Sequence, residues 1–338
     1  MTLEGKKKHL AVILFLAAFG ALLTLATFFD LEVSRILTHF SLKKGEFYTS
    51  NVFANFFEAV GMLPRYLLRA FSALSVGWFF YKHLSQKVLR ILALIAAAGA
   101  AVYLLSGAFC DMILYPMRHM IAEDAEGAIR MIDAMKPSVY LIAYFFSAAA
   151  VGIAFYCTRN VSAETWRRLT TFALIFFLVD LIAGRTVSAV KGYVDRVRFR
   201  SMNSVYGRAL GGFDLYTRWY EVTDHAALLR ATPLIEYTDA FRSFPSGHTE
   251  SAALSYSLIL LIDCLKIENK KAKLALWLAP ICWTGLTALG RIVAGAHFMS
   301  DVLVGGTIPF VLVILLREAF LRRFSGIKEM YPFLVKKE

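Results

Sequence analysis

Apolar residues in this chain run in long blocks that do not alternate with polar ones. Eight blocks stand out: 10–29, 60–81, 89–109, 138–157, 169–190, 249–265, 274–289 and 298–316. Crossing about 30 Å of hydrocarbon takes about 20 apolar residues in a helix. The strands of a membrane barrel are only about 9–11 residues long and alternate in polarity. The pattern therefore predicts an all-α polytopic membrane bundle of about eight spans. Each helix satisfies its own backbone. The second block carries Pro64, Arg65 and Arg69 in its first turns. The sixth and seventh are short, which predicts tilt or an irregular end. Between blocks, 120–135 and 31–40 show one apolar face each and read as helices lying in the interface. Lys6, Lys7 and Lys8 precede the first block, but no small-x-small cleavage pattern follows it. It is expected to be a retained helix.

Composition sharpens this picture. Of 338 residues, 58% are apolar and only 18% charged, yet the net charge is +12. Soluble domains average about 45–50% apolar and about 25% charged. With eight spans, both termini share a side. That side holds 19 Lys and Arg in 59 loop residues, against 15 in 124 on the other. The denser side is expected to be cytoplasmic. The excess charge is then topology, and no nucleic-acid motif accompanies it. The four cysteines show no paired spacing and are expected to be small buried residues.

Three chemically equipped stretches fall at the opposite, outer boundary. Lys191 and Arg198 follow the fifth block, Pro245-Ser246-Gly247-His248 opens the sixth, and Arg291, His297 and Asp301 lie between the seventh and eighth. The three cations suit a phosphate, with Arg able to bind in bidentate fashion. The N–H groups of Ser246, Gly247 and His248 stand at a helix start, where an anion is favoured. The Ser246 hydroxyl can donate or cap. His248 titrates near working pH and suits proton transfer. His297 and Asp301 are four apart, so a helix would place the carboxylate beneath the imidazole, as orienter of a nucleophile.

These residues resemble the motifs of the type-2 phosphatidic acid phosphatase and haloperoxidase superfamily. The family pattern is K-x6-R-P, P-S-G-H and S-R-x5-H-x3-D. Here Phe199 replaces its Pro and Gly290 its Ser. The resemblance implies a six-helix membrane core at 89–316, an N-terminal two-span extension at 1–88 and a basic cytoplasmic tail at 317–338. It also implies a mechanism. His297 attacks phosphorus, His248 protonates the leaving group and Asp301 orients His297. Lys191, Arg198, Ser246, Gly247 and Arg291 bind the phosphoryl oxygens. No cofactor or metal is implied, since these positions offer no carboxylate cluster.

The expected partner is a lipid phosphate within membrane lipids, without nucleic acid, at the outer face of a bacterial inner or plasma membrane. Phosphatidic acid, phosphatidylglycerol phosphate, polyprenyl diphosphate and phosphorylated lipid A remain open. So do phosphotransfer to another hydroxyl and a non-enzymatic lipid transporter or scramblase. Other residues have weaker roles. Arg65 and Arg69 are expected as interfacial anchors, with contact to a lipid phosphate as the alternative; support of Lys191 is the lesser reading of Arg185. Asp180, mid-span, is expected to be buried with a polar partner. Glu250 suits a helix N-terminus. Tyr216, Trp219 and Tyr220 fit an interfacial patch or a loop core, and His225 is unassigned.

Overall fold

A computed structural model describes residues 3–121, 125–224 and 240–330; within these, the side chains of 4, 118–132, 206 and 327–329 are left aside. His225 and the tail after 330 lie outside the described residues. Six helices occupy the first half and more: α1 (Leu3–Thr38), α2 (Val52–Val60), α3 (Leu63–His83), α4 (Lys87–Ile121), α5 (Ala125–Thr158) and α6 (Ala163–Val194). Two short helices follow, α7 (Phe199–Asn203) and α8 (Val205–Ala209), then a 3-10 turn at Gly212–Leu215. The second half holds α9 (Gly247–Ala253), a 3-10 stretch at Leu254–Ile259, α10 (Leu260–Cys264), α11 (Lys270–Val293) and α12 (Met299–Leu316). A π turn at Arg317–Leu321 leads to α13 (Ser325–Met330). No strand occurs among the described residues, only a single bridge between Gly45 and Ser204.

The chain is thus an all-α polytopic bundle. Among the described residues, six helices are long and apolar enough to cross a membrane: those of α1, α4, α5, α6, α11 and α12. The second and sixth apolar blocks are helical but fall short of that mark. In α3 the reason is its charge, since it contains Arg65, Arg69 and Lys82. The sixth block is divided into α9, the 3-10 stretch and α10. Residues 31–38, expected as a separate interfacial helix, continue α1 without a break. Residues 125–135 likewise begin α5, which runs through Pro137; the side chains of 120–132 are outside the description.

Local signals set the ends that matter. The Ser162 hydroxyl accepts from the Thr165 N–H at 3.1 Å, capping α6, and Glu164 sits in its first turn. At the far end Asp195 takes the left-handed conformation (φ 47°), which stops α6 and turns the chain toward Arg196. Asn269 caps α11 by accepting from Lys271 and Ala272. A buried cluster of Phe172, Phe176, Val179, Leu254, Leu260 and Val313 joins α6, the 3-10 stretch, α10 and α12. A second cluster, including Leu42, Val197, Phe199, Met202, Phe241 and Phe298, forms the floor beneath the loops. Burying each such side chain contributes about 1.5–3 kcal/mol.

Two glycines mark where backbones approach closely. A Cβ at Gly290 would lie 2.9 Å from Phe57 Cβ, so α2 can rest on α11 only without a side chain there. A Cβ at Gly305 would lie 2.5 Å from the Ser246 carbonyl oxygen, so α12 needs glycine where the Ser246 turn crosses it. The cysteine expectation holds for Cys110 and Cys264, which are buried; Cys157 and Cys282 are exposed.

Candidate active site

All three equipped stretches meet at one end of the bundle. Lys191 is in the last turn of α6, His248 in the first turn of α9, Arg291 in the last turn of α11, and Asp301 in the first turn of α12. Backbone bonds tie the connecting loops together. Arg198 N–H donates to Ala240 C=O (2.9 Å), Arg200 N–H to Gly295 C=O (2.7 Å), Ser243 N–H to Arg196 C=O (3.0 Å) and Ser246 N–H to Asp301 C=O (2.9 Å). Phe199 stands where the family has Pro. It is buried against Phe213 and Phe298, so packing supplies the stiffness a Pro ring would give. Gly290, in place of Ser, is the position that α2 crosses.

His297 is 1% exposed. Its Nδ1 lies 2.6 Å from the Ser243 carbonyl oxygen. A carbonyl only accepts, so Nδ1 carries the proton and Nε2 is left as the basic nitrogen. The expected bond from His297 to Asp301 is replaced. Asp301 Oδ2 is 3.7 Å from Nδ1, beyond hydrogen-bond length. Asp301 instead accepts from the Ser243 hydroxyl (2.5 Å), the Phe298 N–H (2.8 Å) and Arg196 (2.7 Å). Asp301 therefore acts on His297 through Ser243 and through its field. Burial, then the Arg198 cation, hold the His297 imidazole well below its ordinary pKa; Asp301 opposes this, and Lys191 and Arg291 add to it.

His248 packs edge-on against Tyr115 of α4 at 5.6 Å. Its Nε2 is buried and has no hydrogen-bond partner. Burial, then Arg291, hold it too well below its ordinary pKa, with Glu58 opposing and His297 and Arg198 adding. The two imidazoles thus feel each other and the same cations. Arg291 is 1% exposed; Nη1 is 3.0 Å from Glu58, and Nε has no hydrogen-bond partner. Lys191 Nζ donates to the Arg242 carbonyl (2.8 Å), and Arg198 Nη1 lies 3.3 Å from the Ala296 carbonyl. Carbonyls thus position Lys191 and Arg198, and a carboxylate lies beside Arg291.

Ser246, expected as a phosphate donor, is already engaged. The Ser246 N–H is already given to Asp301, and its hydroxyl accepts from the Thr249 hydroxyl (3.0 Å) and N–H (3.4 Å). It is a helix cap in this structure. The space beside Gly247 is open, with nothing within 4 Å of a Cβ there. The Gly247 and His248 N–H groups stand ahead of the first helical bond and are the remaining backbone donors.

Sequence reasoning missed several partners. Arg196 is fully buried and donates to Asp301, to Ser300 Oγ (2.8 Å), to Asp30 (3.1 Å) and to the Thr217 carbonyl (2.8 Å). Asp30 comes from α1 and also accepts from the Ser300 N–H (2.9 Å). Glu58 of α2 pairs with both Arg291 and Arg200, the latter at 3.4 Å. The first 88 residues thus contribute two carboxylates to this end of the bundle. One signal was available: Arg196, Arg198 and Arg200 alternate in one short run.

The lesser candidates also find places. Asp180 is buried and paired as expected, but with Arg65 (3.1 Å) and Arg69 (2.6 Å), which face inward and are not anchors. Glu250 joins them through Arg65 at 2.7 Å. Arg185 is exposed. Trp219 donates to Thr27 Oγ1 (3.0 Å) and Tyr216 packs on Phe298, both loop-core roles; Tyr220 is half exposed.

Residues 213–325, about a third of the chain, match the family model described as the PAP2 superfamily. The matched stretch contains Ser246, Gly247, His248, Arg291, His297 and Asp301; Lys191 and Arg198 precede it. No match is found among the curated proteins or among the solved structures.

Proposed function

We propose that this PAP2 superfamily member, a membrane phosphatase at the level of its family, hydrolyses a lipid phosphate through a phosphohistidine at His297. The observation that carries the reading is the state of that ring. Its Nδ1 proton is fixed on the Ser243 carbonyl, which leaves Nε2 as an unprotonated nucleophile among Arg198, Lys191 and Arg291. In the first step Nε2 forms a bond to phosphorus, and the bond from phosphorus to the lipid oxygen breaks. His248 gives a proton to the departing oxygen. The arriving phosphate dianion offsets Arg291 and Arg198 and favours protonation of His248 in the complex. In the second step water attacks phosphorus, His248 takes a proton from that water, and the phosphorus–nitrogen bond breaks to release phosphate and neutral His297. The three cations and the Gly247 and His248 N–H groups stabilise charge on the transferring phosphoryl.

The reading needs no metal, because these cations supply the positive charge. Chelation by EDTA is expected to leave activity unchanged. The density of Lys and Arg supports cytoplasmic termini and a site at the outer leaflet. The test is phosphate release by purified protein from a panel of lipid phosphates, with His297→Ala as control. Release lost in the variant supports hydrolysis through His297. Phosphate recovered on a second lipid hydroxyl, with little free phosphate, would make the protein a transferase. Lipid movement unaltered in His297→Ala, with no release in either form, would overturn catalysis.

A further inference from the structure

A cavity of about 1240 Å³ opens between α3, α4 and α6. Lys191, Gly247 and His248 line one end of it, so it is continuous with the candidate active site. The far end is lined by Phe80 and Ala93. From Met62 to Phe80 along α3 is about 27 Å at helical rise, close to the hydrocarbon thickness of a bilayer. The α4 wall is made of Ala93, Ala96, Ala97 and Ala100, with Leu104 one turn beyond them. At the floor, a Cβ on Gly77 would lie 2.3 Å from Ala97 Cβ, so α3 and α4 touch there and the alanines leave a smooth trough. Leu174 and Phe177 of α6 line the trough yet are 58% exposed each, so it opens sideways, where a membrane helix meets lipid.

One stretch of the trough is polar. Arg65, Arg69 and Asp180 form a paired group on its wall, with Glu250 behind Arg65. Ser72, Ser188 and Arg185 line the same stretch. The Ser72 hydroxyl is buried and has no hydrogen-bond partner. Arg65 to Ser72 covers about 10 Å of α3. A bare hydrocarbon laid here would strip water from Arg69, Arg185 and Ser188, which are at least partly exposed, and return no bond. Ester, amide or hydroxyl groups would return bonds.

We infer that this groove holds the substrate's hydrocarbon chain, and that its polar stretch selects a lipid phosphate with a polar linkage below the phosphate over one in which hydrocarbon follows directly. This rests on the proposed lipid phosphatase reading and narrows its substrate class. The experiment uses full-length protein in detergent with three phosphate monoesters: p-nitrophenyl phosphate, phosphatidic acid and a polyprenyl phosphate. Wild type is expected to prefer phosphatidic acid to polyprenyl phosphate, and Ser188→Ala, at an exposed hydroxyl of the lining, to narrow that preference. Ala96 is exposed in the trough, so Ala96→Trp fills it without displacing core. It is expected to lower kcat/KM for phosphatidic acid about tenfold or more and leave p-nitrophenyl phosphate untouched. Ala100→Trp repeats the test one turn away. Full phosphatidic acid turnover in both tryptophan variants would overturn the groove assignment, and equal or reversed preference would overturn the polar selection; in both cases phosphatase function would stand. A wild type inert toward all three esters would overturn the proposed function, and this inference with it.

Discussion

Arg196 and Arg291 lie at the same end of the bundle, both almost fully buried, and their charges are met in different ways. Arg196 is closed off. Two carboxylates, a hydroxyl and a carbonyl take its donors, and Phe298 lies 4.1 Å beneath it. Arg291 is left open. One carboxylate, shared with Arg200, lies near Nη1, and Nε has no acceptor. A buried charge without full pairing is costly to maintain. The fold bears that cost beside two unprotonated imidazoles, where an anion would offset it. The closed cluster joins α1 and the α6 loop to α12; the open one lies beside His248 and His297.

That contrast can be broken from either side. Arg196→Met leaves Asp30 and Asp301 buried without their cation. Destabilisation of about 3–5 kcal/mol is expected, read as a fall in the unfolding midpoint of detergent-solubilised protein. Arg291→Met leaves Glu58 paired with Arg200. The midpoint is expected to move little, while phosphate release falls about 100-fold, the loss of one transition-state donor. A stable Arg196→Met, or an unfolded Arg291→Met, would erase the distinction.

A smaller effect is expected at Ser243. Ser243→Ala removes the hydroxyl that links Asp301 to this turn, yet the carbonyl that fixes His297 remains. About a tenfold loss of kcat is expected, with KM unchanged. The smallest effect is on pH. His297 is held below 6.5, so the ring stays neutral and nucleophilic as pH falls past the ordinary value. The acid limb of kcat/KM for a water-soluble ester is expected below pH 6.5. Arg198→Gln removes the largest charge cause and should move that limb upward. The same shift bears on stability. Below pH 6.5 the unfolded chain binds a proton that the folded ring refuses, so folding weakens from pH 6.5 down to the folded pKa.

Hydropathy made the eight apolar blocks legible, because burial in lipid acts on each segment alone. It could not show that the sixth divides into α9, a 3-10 stretch and α10, since that break follows from packing. Local motifs placed Lys191, His248, Arg291 and His297 at one membrane depth, and the fold brings them together. The supporting residues were not legible. Asp30 is 166 residues from Arg196, and Glu58 more than 200 from Arg291, so only tertiary packing makes them neighbours. Asp301 was placed by its i+4 spacing as a direct partner of His297. The chain turns at Gly295 (φ 63°) and α12 begins only at Met299, so His297 lies outside the helix and the spacing rule does not apply. Gly290, which departs from the Ser of the resembled motif, is the seat of α2.

The central claim is that His297 Nε2 takes the phosphoryl group. The most direct measurement is rapid quenching of purified protein with a ³²P-labelled phosphate ester, followed by mapping of the labelled residue. The account predicts an acid-labile, base-stable label on His297, formed and lost at rates that match turnover and absent in His297→Ala. Steady hydrolysis with no label on His297, or with activity kept in His297→Ala, would contradict it.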